Sequence, residues 1–137
     1  MQLHSLLRTM MVGIVLSCLF MACEQSQEWE RERLDLEKAR IVAYVQSSGC
    51  TGGYQCRYSA LGTKPCGGPR EYVVYSTSLD TTTLHQMIAD YNSSERAFNE
   101  RWGLGSDCSV PPPPDSVRCE GGVCVGYWNG MASHPGQ

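Results

Sequence analysis

The clearest periodic pattern of hydrophobic positions along this chain lies between residues 84 and 102. Apolar side chains recur there at helical spacing, at Leu84, Met87, Ile88, Tyr91, Phe98 and Trp102. That spacing places them on one face of an α-helix. The run from Asp80 to Thr83 offers N-cap side chains before the helix, and Gly103 is placed to end it. We therefore predict an amphipathic helix whose apolar face packs onto a sheet.

Bulky apolar runs separated by turn residues predict strands elsewhere in the chain. Gln55–Leu61 and Glu71–Ser76 predict an antiparallel pair, joined by a tight turn over Gly62–Pro69. Both faces of the second strand carry large side chains, which indicates that it is covered on both sides. A further hairpin is predicted over Val117–Val125 around a Glu-Gly-Gly turn, and residues 129–137 predict a loose tail.

The segment from Glu24 to Arg40 is densely charged, and its opposite charges fall at helical spacing. It has too few apolar residues for a full buried face, so we predict an exposed helical spacer. Ile41–Val45 could be the apolar end of that helix or a first strand, and the helix is favoured because no turn signal precedes it. The predicted fold class is α+β: a small disulfide-stapled antiparallel sheet of three to five strands, covered by one amphipathic helix and preceded by the charged helical spacer.

The first 22 residues have the pattern of an export signal. Arg8 supplies a positive charge, and the apolar run from Met10 to Ala22 is shorter than a membrane span, which needs about 20 apolar residues. An uncleaved membrane anchor is the alternative. Phe20-Met21-Ala22-Cys23, followed at once by polar sequence, resembles the signal of bacterial lipoproteins. This resemblance covers residues 1–23 alone and implies cleavage before Cys23 and attachment of lipid to that cysteine.

The resemblance further implies a protein held at a membrane of the bacterial envelope, the outer membrane if the host has two. Cys18 is the competing lipid site, but cleavage there would leave the apolar stub Leu19–Ala22. An ordinary secreted protein is the other alternative. The predicted organisation is a signal peptide at 1–22, a lipidated cysteine with a helical tether at 23–46, a folded domain at 47–128 and the tail at 129–137.

Export changes the interpretation of the eight cysteines. Cys18 would leave with the signal and Cys23 would carry lipid, so six remain in the domain: Cys50, Cys56, Cys66, Cys108, Cys119 and Cys124. An even number in an oxidising compartment predicts three disulfides, and a domain this small needs them because its core alone is marginal. Sequence leaves the connectivity open. The favoured pairing is Cys50–Cys56, Cys66–Cys108 and Cys119–Cys124.

Charge and motif content limit the chemistry. From Ser47 onward the chain carries six basic and eight acidic residues without a basic stripe, so nucleic acid is not a predicted partner. The cysteine spacings lack the CxxC pairs of zinc and redox sites, so neither a metal nor a cofactor is predicted. A nucleophilic mechanism needs a base such as His85, yet no serine or cysteine has the pattern of an activated nucleophile. A solvated helix residue is the favoured interpretation of His85.

The favoured function is that of a non-enzymatic binding or inhibitory module for an envelope or secreted protein. The candidate contact surface is the turn with its flanking tyrosines: Tyr54, Tyr58, Lys64, Arg70 and Tyr72. Tyrosine and arginine are enriched at interface hot spots, and charges on a turn are ordinarily exposed. The alternatives are a small envelope enzyme with His85 in a cleft, and a purely structural envelope tether.

Overall fold

The computed structural model describes residue 11, residues 26–51 and residues 55–133. Apart from residue 11, the predicted signal peptide lies outside these residues, as do Cys23 and Tyr54. The chain divides into two compact units, Met1–Arg33 and Leu34–Gln137. In the first unit residues 26–33 are helical, and the Arg33 guanidinium carbon lies 5.7 Å from the ring centroid of Trp29. Among the described residues, no helix combines the length and the apolar content that crossing a bilayer requires.

Helix α1 covers residues 26–46, so the interpretation of Ile41–Val45 as helix is confirmed. Leu34, Ile41 and Val45 lie on one face of this helix and are buried in the main core of the second unit. The compact unit therefore begins inside the helix at Leu34, not at residue 47 as the predicted domain boundary has it. The apolar residues of this segment are few, but their spacing is sufficient for one buried stripe.

Strands β1 (Cys56–Leu61) and β2 (Glu71–Ser76) form the predicted antiparallel pair, with Leu61 opposite Glu71. The turn between them uses positive φ at Gly67 and Gly68, which glycine adopts without steric cost. Both faces of β2 are covered, as predicted. Val73 and Tyr75 face the main core with the helices, and Val74 faces a second cluster on the opposite side.

Helix α2 (Thr81–Arg101) confirms the predicted amphipathic helix. Asp80 is its N-cap, since its carboxylate accepts hydrogen bonds from the backbone N–H groups of Thr82 and Thr83. The predicted face is buried at Leu84, Ile88, Tyr91 and Phe98. Two polar residues, Glu95 and Asn99, are also buried on this helix, and the hydrophobic pattern gives no sign of them.

Residues 116–133 form a second antiparallel sheet, in the order β3-β4-β5: β3 (Ser116–Glu120), β4 (Val123–Trp128) and β5 (Met131–Ser133). The predicted hairpin is confirmed as β3–β4. The prediction of a loose tail is wrong for residues 129–133, because Asn129 and Gly130 both have positive φ and reverse the chain into β5. Asn-Gly is the dipeptide that a two-residue hairpin turn favours.

The α+β class is confirmed, although the five strands of the described residues form two sheets instead of one. The first sheet packs against β3 and β4 on one side and against the helices on the other. Two helices, α1 and α2, therefore cover it, where one was predicted. Val74 lies between the sheets, in contact with a cluster that contains Cys50, Cys124 and Trp128.

Three disulfides cross-link the second unit: Cys50–Cys119, Cys56–Cys124 and Cys66–Cys108. The third pairing is as predicted, and the predicted local pairs Cys50–Cys56 and Cys119–Cys124 are wrong. Cys119 and Cys124 are direct partners in the β3–β4 register, but Cys50 and Cys56 lie against the same face of that hairpin. Cys56–Cys124 therefore joins the first sheet to the second, and Cys50–Cys119 joins the segment between α1 and β1 to the same hairpin.

Candidate functional site

The loop between β1 and β2, residues 62–70, carries two of the predicted contact residues, Lys64 and Arg70, and the structure ties it to its surroundings. The Lys64 ammonium forms an ion pair with Asp107 (Nζ–Oδ1 2.9 Å) and donates to the carbonyl oxygen of Ser109. The Lys64 side chain is only 14% exposed. The hydrogen bond from Lys64, with those from Ser109, lowers the pKa of Asp107 from 3.8 to about 2. The Cys66–Cys108 bridge joins the same two segments.

The other end of this loop is held by helix α2. Arg70 Nε donates to Oε1 of the buried Glu95 (2.7 Å), and the second carboxylate oxygen accepts from the Thr63 N–H. Gly62 N–H donates to Asn92 Oδ1 at 2.7 Å. A Cβ at Gly62 would lie 2.8 Å from both Arg70 Cβ and Glu95 Oε2, so this close approach requires glycine. We call residues 62–70 the clamped loop.

The clamped loop corrects the expectation that Lys64 and Arg70 are free to contact a partner. Both charges are already paired within the molecule, and Arg70 keeps 41% of its side chain exposed beside the carboxylate it neutralises. The sequence predicts exposed charges on this turn. Its charged side chains instead bind it to the body of the domain.

A groove lies at the start of β2, between this strand and the β4–β5 hairpin. It has a volume of about 340 Å³ and is lined by Arg70, Glu71, Tyr72, Pro111, Pro112, Trp128, Met131, Ala132 and Ser133. Two predicted contact residues, Arg70 and Tyr72, thus lie together here. The other members were not singled out from the sequence. We call this the aromatic groove.

Trp128 is fixed in the aromatic groove from two sides. Its indole Nε1 donates to the carbonyl oxygen of Pro112 (3.0 Å), so the polyproline segment 111–114 is held against it. Its ring lies over Gly126, where a Cβ would come within 2.7 Å of the indole and 2.9 Å of Val74. Gly126 therefore provides the space in which the ring is seated. These two contacts define the position of the ring.

Exposed apolar surface adjoins the aromatic groove. Met131 is 70% exposed on β5, and Tyr58 is 42% exposed on β1. Tyr58 and Tyr72 lie on the same face of the first sheet and form an edge-to-face pair with ring centroids 5.7 Å apart. Aromatic residues and methionine are the types enriched in interface cores.

The charges at the rim of the aromatic groove are paired inside the protein. Arg70 pairs with Glu95, and Glu71 forms an ion pair with Lys38 of α1. The Lys38–Glu71 pair also borders a second groove of about 430 Å³, lined by α1 residues and Glu71. That second groove lacks aromatic residues. The aromatic groove thus offers apolar contact without an unpaired charge at its rim.

His85, the candidate base, is exposed on α2, and its Nε2 lies 3.0 Å from the hydroxyl oxygen of buried Tyr75. The Tyr75 hydroxyl also accepts from Ser59 Oγ at 3.4 Å. His85 lines neither of the two grooves described above. Its contact with Tyr75 attaches the first turn of α2 to the first sheet.

The sulfur atoms of Cys50, Cys56 and Cys124 lie within 4.8 Å of one another, a distance that would suit shared metal ligation by thiolates. All three are committed to disulfides. A disulfide sulfur carries no thiolate charge, so in the oxidised protein this cluster is a cross-link that fixes the two sheets.

Fold and site together define a small, disulfide-cross-linked α+β domain with a preformed aromatic groove. Comparison with family models, with curated proteins and with solved structures finds no match for this chain. Its function therefore has to be inferred from its own residues.

Proposed function

We propose that this chain is a non-enzymatic binding module, anchored by lipid to the bacterial cell envelope, and that it holds an envelope or secreted protein in the aromatic groove. The observation that carries the proposal is the seating of Trp128 beside Tyr72 and the exposed Met131, in a frame that disulfides cross-link. Binding to Trp128 costs little conformational entropy, because its indole is already held by the hydrogen bond to Pro112.

The internal ion pairs of the rim favour this function over a charge-driven one. Arg70 and Glu71 both have partners within the protein, so a bound segment meets the faces of Tyr72 and Trp128 without a charge to neutralise. Aromatic anchors in a desolvated pocket contribute most of the binding energy of typical interfaces. A groove of about 340 Å³ suits a few side chains of a larger partner.

The anchor is proposed from the residues before the helix. Cys23 follows a short apolar run and precedes polar sequence, as in bacterial lipoproteins. The six cysteines among the described residues form disulfides with one another, so none of them is a disulfide partner for Cys23. Labelling cells with a fatty-acid analogue tests the anchor. Cys23→Ala should abolish labelling and membrane retention, whereas the matched variant Cys18→Ala should keep both.

The binding function is tested in cells with a photo-crosslinking amino acid at Met131, and with the same amino acid at Glu100 on the outer face of α2 as control. Met131 should give a discrete adduct with an envelope or secreted protein, and Tyr72→Ala in the same chain should remove it. Equal adducts at both positions, or an adduct that survives Tyr72→Ala, would refute the role of the aromatic groove. If His85→Ala abolishes the activity of this protein in cells while Tyr72→Ala leaves it intact, the enzyme hypothesis replaces this one.

A further inference from the structure

Strand β5 presents an unpaired backbone edge beside the aromatic groove. In the described chain it is the outer strand of the second sheet and pairs with β4 alone. All three of its residues, Met131–Ser133, line the groove. A sheet edge with unpaired N–H and C=O groups is a template for a further strand.

The hairpin register determines which backbone groups of β5 point outward. Trp128 and Met131 close a two-residue turn, and the closing pair of such a hairpin is hydrogen bonded. The next pair, Tyr127 and Ala132, is therefore a non-hydrogen-bonded pair. The carbonyl oxygen of Tyr127 accepts from the Asp115 N–H at 2.8 Å, on the side toward β3. The N–H and C=O of Ala132 accordingly face away from β4.

We propose that the edge of β5 binds an extended segment of a protein partner as an added strand, with alternate side chains of that segment entering the aromatic groove. This inference rests on the proposed function and specifies how the partner is held. Main-chain hydrogen bonds to Ala132 supply affinity in this mode, and the groove selects the side chains. Since side chains alternate along a strand, every second one would face the side where Met131 and Trp128 lie.

The chemistry of the bound segment follows from the groove. Its inward side chains are apolar and uncharged, because Arg70 and Glu71 already have partners. The indole N–H of Trp128 is already bonded to Pro112, so the incoming segment meets the ring face and not a donor. A polyproline segment fits poorly, since proline has no N–H to donate to the Ala132 carbonyl. A second copy of this chain would pair only the three residues of β5 and leave the groove unfilled.

The probe is an array of uncharged ten-residue peptides in which valine or leucine alternates with serine or threonine. Scrambled peptides of the same composition and proline-rich peptides are the controls. The soluble oxidised domain should bind the alternating set. In the peptide that binds best, N-methylation at the positions whose N–H groups face β5 should weaken binding about tenfold per site. N-methylation at the alternate positions, whose N–H groups face away from β5, should hardly change binding. On binding, the Ala132 amide should exchange with solvent markedly more slowly in NMR spectra.

Variants of the protein at Ala132 test the same main-chain hydrogen bonds. Ala132→Pro should weaken binding of that peptide about tenfold, whereas Ala132→Val, which keeps the N–H, should leave it nearly unchanged. If Ala132→Pro disturbs the hairpin, N-methyl scanning on the unaltered protein still decides. Equal tolerance of N-methylation in both registers, preference for proline-rich or scrambled peptides, failure of the alternating set to bind, or a dimer that forms without peptide would each overturn the inference. Persistence of the Met131 adduct in cells under any of these outcomes would leave the proposed function standing.

Discussion

The ion pair between the half-exposed Arg70 and the buried Glu95 leads to the sharpest prediction about stability. Glu95 is 6% exposed, and its two oxygens accept from Arg70 Nε and from the Thr63 N–H. Arg70→Ala removes the cation and leaves a carboxylate in the interior that water reaches poorly. The clamped loop would also lose one of its attachments to helix α2.

Arg70→Ala should lower the unfolding free energy by about 2 kcal/mol. Removing one partner of a fully buried pair typically costs about 3–5 kcal/mol. The 41% exposure of the Arg70 side chain lowers that figure, because solvent already screens part of the interaction. Glu95 also retains its hydrogen bond from Thr63. Lys38→Ala is the matched control, since both members of the Lys38–Glu71 pair are 36% exposed and the expected loss is at most about 0.5 kcal/mol.

Urea unfolding of the oxidised protein measures both variants, with the comparison restricted to variants of unchanged m-value. Glu95→Gln completes a double-mutant cycle, because glutamine keeps an acceptor for Thr63 without a charge. The double variant with Arg70→Ala should be more stable than the sum of the single effects by about 1 kcal/mol or more. Additive effects, or an Arg70→Ala cost no larger than that of Lys38→Ala, would refute the argument.

The remaining predictions concern acid stability, packing and the disulfides. The pKa of Asp107 is lowered from 3.8 to about 2, so its ionised form stabilises the fold above pH 4, and that contribution disappears as the pH falls toward 2. Asp107→Asn should therefore reduce the pH dependence of the melting temperature between pH 4 and pH 2. An unchanged pH profile would contradict this prediction. Gly126→Ala should cost about 1–3 kcal/mol and shift the fluorescence of Trp128, because the new methyl group overlaps the indole; unchanged fluorescence would contradict it. Replacing either Cys50–Cys119 or Cys56–Cys124 by a pair of serines should lower the unfolding free energy by about 3 kcal/mol, because with the other bridge in place it closes only a short ring. Replacing the remaining bridge as well should cost about 4 kcal/mol more, because that bridge alone closes a long loop. Peptide mapping of the oxidised protein should recover both bridges with no free thiol in the domain.

Several elements could be predicted from the sequence because the forces that form them act over a few residues. The buried face of α2 follows from helical spacing, and the glycines of the β1–β2 turn follow from the φ values that turns require. The Asn129–Gly130 turn belongs to the same local class and was available as a signal, so β5 could have been predicted. Without β5, the sequence-based prediction lacked the wall of the aromatic groove that Met131–Ser133 form.

The disulfide pairs and the buried charge depended on which distant segments meet. Spacing along the chain favoured Cys119–Cys124, yet Cys119 bonds to Cys50 in the segment before β1, and Cys124 bonds to Cys56 on β1. Glu95 has the sequence context of a solvated helix residue, and its burial depends on the approach of Arg70 and Thr63 across the fold. Loop charges paired with distant residues leave no periodic trace in the sequence.

The sequence by itself determined the class of the domain, its main helix, its first hairpin and the even number of cysteines that cross-link it. The aromatic groove was decided by tertiary structure, because Tyr72, Pro112 and Trp128 belong to three separate segments. Their approach requires the sheets to pack face to face and Gly126 to leave room for the indole. A binding surface of this kind has no local pattern, because the segments that build it meet only after the cores of both sheets have formed.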